Sequence, residues 1–68
     1  MKREAKAVLS AAGIGTGQDF NSLDHAQLAA VRAEAAVAYL RKHGKPMPDD
    51  CASYIRKRYD LLQRRARS

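Results

Sequence analysis

A chain of 68 residues with thirteen Lys and Arg against seven Asp and Glu, formal net charge +6, describes one small domain with room for a single thin core. Its lone cysteine, Cys51, excludes an intramolecular disulfide, and no apolar run of signal-peptide length follows the basic start Met1-Lys2-Arg3-Glu4-Ala5-Lys6, so the chain reads as a cytoplasmic protein. The most apolar stretch, Ala26 to Leu40, carries Arg32 and Glu34 and is too short and too charged to span a bilayer.

The pattern predicts an all-α fold, a small three-helix domain occupying 1–68, with helices at about 2–12, 24–43 and 48–65. In the first helix Ala5, Val8, Leu9 and Ala12 share one face at i, i+3, i+4, i+7 spacing. Gly13 suits the C′ position there, and Ile14 is placed to fold back onto Leu9 as in a Schellman ending. Residues 13–23 form the only long loop, which Ile14, Phe20 and Leu23 are expected to pin to the core.

Asp24 with Gln27 three residues on makes a capping-box pattern for the second helix, and Leu23 and Leu28 flank it as a hydrophobic staple. That helix should stop at His43, because Gly44 suits C′ and Pro46 cannot continue the hydrogen-bond ladder. It is apolar or small almost all round, with seven alanines between Ala26 and Ala38. Such a helix needs cover on more than one side, which makes the Ala-rich helix the expected central element. The spacings Ala26/Ala30 and Ala29/Ala33 permit close helix approach, within the domain or in a homodimer.

The short connection Gly44-Lys45-Pro46-Met47-Pro48 implies that the second and third helices are neighbours in an αα-hairpin. Pro48, Asp49 and Asp50 are expected to open the third helix, since proline tolerates the first turn and acids complement the dipole there. At 100° per residue this helix places Cys51, Ile55, Tyr59, Leu62 and Ala66 in one core stripe, with Tyr54 and Leu61 at its edge. The opposite arc collects Ser53, Arg56, Lys57, Asp60, Gln63, Arg64 and Arg67. Arg58 and Arg65 project into the gap between Leu61, Tyr54 and the core stripe, where a guanidinium must snorkel, stack on a tyrosine or find a carboxylate, and Glu34 is the expected partner.

Chemistry-bearing constellations are sparse. Gly13, Gly15 and Gly17 lack the strand before and the helix immediately after that a phosphate-cradling loop requires, so they read as a flexible connection. His25 and His43 lie roughly 27 Å apart on one helix and cannot share a metal. Cys51 in a first helical turn, beside Asp49 and Asp50, reads as an inert packed side chain. No nucleophile and base are paired, so no enzyme, metal or cofactor is implied.

The one local anomaly is the C-terminal stretch Tyr54 to Ser68, where Arg56, Lys57, Arg58, Arg64, Arg65 and Arg67 stand against the single acid Asp60. Clustered cations attract polyanions, so nucleic acid or an acidic protein surface is the expected partner. The bland alternative is a solvated face. Arg56, Lys57, Arg64 and Arg67 are the candidate nucleic-acid contacts, directed at phosphates rather than base edges. A helix-turn-helix reader does not fit, because its recognition helix would begin with Asp49 and Asp50, which phosphates repel. The rival reading is a protein-interaction adaptor or host-factor modulator using Tyr54, Arg58, Leu61 and Arg65, or a homodimer through the alanine face.

The run Arg58-Tyr59-Asp60-Leu61-Leu62-Gln63-Arg64-Arg65-Ala66 resembles the ending of small uncharacterised proteins of phage and prophage genomes. The resemblance covers these nine residues, carries no activity or site, and implies only a phage-type accessory role.

Overall fold

Three local signals in the sequence become three hydrogen-bonded helix ends. The computed structural model describes residues 2–49 and 51–67; its helices are α1 (Lys2–Ala11), α2 (His25–His43) and α3 (Ala52–Arg67), with a 3-10 turn at Phe20–Ser22. The expected all-α three-helix domain is therefore the observed one, with no strand among the described residues. Its Cα radius of gyration, 11.3 Å, is that of a compact chain of this length, for which about 11 Å is expected.

Helix α1 ends as its residues dictate. The Gly13 amide donates to the Ser10 carbonyl at 3.0 Å and the Ile14 amide to the Leu9 carbonyl at 2.8 Å, the bond pair of a Schellman motif. Gly13 sits at φ 73°, and Leu9 and Ile14 are both buried. A Cβ at Gly13 would meet only Gln27 Nε2, at an ordinary van der Waals distance of 3.9 Å, so Gly13→Ala reads mainly the backbone conformation. It is expected to lower stability by roughly 1 kcal/mol and the melting temperature by about 4–8 °C. An unchanged melting curve would contradict the left-handed turn.

At the start of α2 both bonds of the capping box are present: the Gln27 amide donates to Asp24 Oδ1 at 2.8 Å, and the Asp24 amide to Gln27 Oε1 at 3.1 Å. Leu23 packs on the core, whereas Leu28 stays 40% exposed. At the other end Gly44, at φ 72°, donates its amide to the Leu40 carbonyl at 2.8 Å.

The third helix starts later than its sequence suggests. Pro48 and Asp49 lie outside it, Asp50 is outside the described residues, and the Cys51 carbonyl accepts the first helical bond, from the Ile55 amide at 3.0 Å. Pro46 and Pro48 bias Lys45 and Met47 toward extended backbone, Met47 packs on the core, and the Asp49 carbonyl accepts from Arg32 Nη2 at 3.0 Å. The linker thus runs back along α2 for about three turns before α3 begins. α2 and α3 are neighbours, but through this longer return rather than a tight αα-hairpin.

The hub is α3, not the Ala-rich α2: both other helices pack principally against α3. Ile55, Tyr59 and Leu62 of α3 are buried with Ala5, Leu9, Ile14, Val31 and Ala35, while α2 contributes only Val31 and Ala35 to that cluster. Alanine has little surface to bury, so an alanine-rich helix gains less from a central position than one carrying Tyr, Ile and Leu. Ala26, Ala29 and Ala33 remain exposed, so the small-residue spacings do not form a seam inside the domain. The stripe on α3 is as expected: Ile55, Tyr59 and Leu62 are buried, with Cys51, Tyr54, Leu61 and Ala66 half-buried.

Candidate nucleic-acid interface

The loop of residues 13–23 is no flexible connection. All three glutamines of the chain, Gln18, Gln27 and Gln63, satisfy its backbone. Gln63 Oε1 accepts from the Gly17 amide at 2.7 Å and Gln63 Nε2 donates to the Gly15 carbonyl at 3.0 Å. Gln27 Nε2 donates to the Gly13 carbonyl at 3.0 Å, and Gln18 Oε1 accepts from the Gly15 amide at 3.1 Å. The Tyr59 hydroxyl donates to the Gln18 carbonyl at 2.6 Å while accepting from Gln63 Nε2 at 2.8 Å. With the Gly15 and Gly17 amides taken by side chains, the glycines do not present a phosphate cradle. Gln63, expected on the solvent face, is 6% exposed; this loop network is what draws it in.

The loop fixes one flank of α3 and so sorts its cations. Arg56 lies on that flank with its guanidinium carbon 5.5 Å from the Phe20 ring centroid, a cation–π contact, and Phe20 in turn stands 5.5 Å from the Tyr59 ring. Arg56 and Arg67 border a shallow recess of about 190 Å³ that also holds Asp19 and Asp60. This flank is mixed in sign. Arg64 is exposed and is itself engaged within the fold.

The other flank of α3 faces α2: Asp49 lies there beside Arg32, Ala52 and Ile55 near the start of α3, and the stretch beyond is lined by no acid among the described residues. Arg41 and Lys42 from the last turn of α2 and Lys57 and Arg58 from α3 line an open groove of about 510 Å³, together with Ala38, Tyr54 and Leu61. Arg58 is half-buried, and its Nε is buried with no hydrogen-bond partner, so Glu34 does not reach that atom. Beside the groove Tyr54 meets Tyr39 edge to face at 5.3 Å, and Tyr39 lies 4.3 Å from the His43 ring.

The structure therefore redistributes the candidates. Of Arg56, Lys57, Arg64 and Arg67, only Lys57 lies in the groove. Of the proposed protein-contact set, Tyr54, Arg58 and Leu61 come together there, and exposed Arg65 is not among the lining residues. Arg41 and Lys42 were missed because a basic last turn reads as complementing the helix dipole. Only the α2–α3 packing shows that they face Lys57 and Arg58.

Elsewhere, Cys51 is half-buried at the N-cap position of α3 rather than in its first turn. Among the described residues no helix is long and apolar enough to cross a membrane, and no three His, Cys, Asp or Glu side chains gather at metal-binding distance. Comparison with protein-family models, characterised proteins and solved structures finds no significant match.

Proposed function

We propose that the protein is a small non-enzymatic, cytoplasmic nucleic-acid-binding module that contacts the phosphate backbone through α3 and the last turn of α2. The observation that carries this reading is the convergence of Arg41, Lys42, Lys57 and Arg58 on one acid-free groove of a chain whose net charge is +6. Cations gathered without carboxylates repel one another, and a polyanion relieves that repulsion while releasing its counterions.

Binding to a mixed-sequence oligonucleotide, followed by fluorescence anisotropy, tests it. With three phosphate contacts on a duplex, affinity should fall by about 40-fold between 50 and 200 mM salt. Lys57→Gln should weaken all sequences alike and reduce the log–log salt slope by about 1. Absence of binding to any nucleic acid at 50 mM salt would overturn the reading.

A protein contact through α2 is the second reading, favoured by Val37 and Leu40, which are 47% and 52% exposed. Large aliphatic side chains half in water on one helix mark an interaction surface more often than scattered ones do. Sedimentation of a strict monomer removes a homodimer through this face, and co-purification of one stoichiometric protein after nuclease treatment would favour a contact with another chain.

A further inference from the structure

Resting on the nucleic-acid reading, we propose that the groove between α2 and α3 is a single-stranded nucleic-acid site, with phosphates held by Arg41, Lys42, Lys57 and Arg58 and a base laid against Tyr54 and Leu61. Shape is the first argument. The cations line a concavity of about 510 Å³, within the range of ligand-sized clefts of about 300–1,000 Å³. Because α2 walls this side of α3, the helix cannot enter a duplex groove with these residues foremost. A convex duplex would reach the rim but not half-buried Arg58, whereas a single strand is thin enough to fold a phosphate inward.

Composition of the walls is the second argument. A duplex offers phosphates outside and keeps its base faces stacked, so a duplex site needs cations alone. This groove has Tyr54 and Leu61 among its cations, and the Tyr54 ring is braced edge-on by Tyr39. Aromatic side chains beside a basic track are how unstacked bases are held without sequence preference.

Arg58 supplies the third. Its Nε is buried without an acceptor, an arrangement that native structures seldom leave unexplained. Removing one edge of a guanidinium from water strengthens its attraction to an anion at the other edge. A phosphate in the groove meets Arg58 at that other edge.

The test compares three probes by anisotropy competition on the full chain at 50 mM salt: a mixed-sequence single strand of about 12 nucleotides, a site size that one small module covers, the duplex of the same sequence, and inorganic polyphosphate of matched charge. The single strand should bind about tenfold tighter than either. Arg41→Gln/Lys42→Gln, at two exposed positions whose loss leaves the core intact, should weaken it about tenfold and reduce the salt slope by about 1.4. Tyr54→Leu should weaken it about tenfold while Tyr54→Phe, which keeps the ring, binds as wild type. Thermal melting of each variant verifies that it is folded. Equal affinity for polyphosphate, or an unchanged affinity in folded Tyr54→Leu, would overturn the base contact and with it the single-strand site. If single strand and duplex bind alike and Arg41→Gln/Lys42→Gln weakens both, the single-strand site is wrong and the backbone reading of the groove stands; if that variant weakens neither, the groove falls and both readings with it. If no nucleic acid binds at all, both fall.

Discussion

Tyr59→Ala is expected to leave the protein largely unfolded at 37 °C. Tyr59 is 2% exposed and is among the largest fully buried side chains. Truncating a buried aromatic to alanine costs about 3–5 kcal/mol, and the lost ring contact with Phe20 adds about 0.5–1.5 kcal/mol. The hydroxyl also leaves the Gln18 carbonyl without its donor. Against this stands a total stability of roughly 3–10 kcal/mol for a domain of this length. Tyr59→Phe separates the parts, because it keeps the ring and removes only the hydroxyl. It should cost about 1–2 kcal/mol and lower the melting temperature by about 10 °C. Circular dichroism on heating measures both. A Tyr59→Ala protein that melts within a few degrees of wild type would refute the assignment of α3 as the hub.

That assignment also explains which features were legible in the sequence. Helix ends were, because their signals are local: Gly13 with Ile14, Asp24 with Gln27, and Gly44 each act within one turn of the residues they cap. The core stripe of α3 was legible too, since Ile55, Tyr59 and Leu62 follow helical spacing. The start of α3 was not. Pro48-Asp49-Asp50 is a sound helix opening in isolation, but Met47 on the core and Arg32 on the Asp49 carbonyl hold residues 47–49 along α2. Which helix is central was misread for a related reason, because the breadth of an apolar face says nothing of how much surface each side chain buries.

The candidate site was legible in charge and illegible in arrangement. Six cations in the last fifteen residues announced a basic helix. Which of them act together depends on what covers each flank: the loop, with Asp19, on one side, and α2, with Arg41 and Lys42, on the other. A wheel drawn for α3 alone groups Arg56 with Lys57, yet Arg56 rests on Phe20 while Lys57 faces the groove. Gln63 did leave a trace. A loop with three glycines exposes backbone groups that must be paired, and the three glutamines of the chain were available to pair them.

Gln63→Leu is the corresponding test and the second large effect expected. The substitution keeps the volume and removes both ends of the amide, leaving the Gly17 N–H and the Gly15 carbonyl without partners and the Tyr59 hydroxyl without its donor. Each buried group left unpaired costs about 1–3 kcal/mol. Gly15 and Gly17 are exposed residues that water can partly satisfy, so the net loss should lie near 2 kcal/mol, with a fall of about 8–16 °C in melting temperature. The loss should be local in origin. Hydrogen exchange at the Gly17 amide should speed up more than at core amides of α3, because the loop opens without global unfolding. A cycle with Tyr59→Phe should then show coupling of about 0.5–3 kcal/mol, since the two side chains share one bond. If Gln63→Leu melts as wild type and the Gly17 amide keeps its protection, the loop is held without Gln63, by Ile14, Phe20, Leu23 and its other hydrogen bonds, and the Gln63 bonds are a consequence of the fold and not a cause of it.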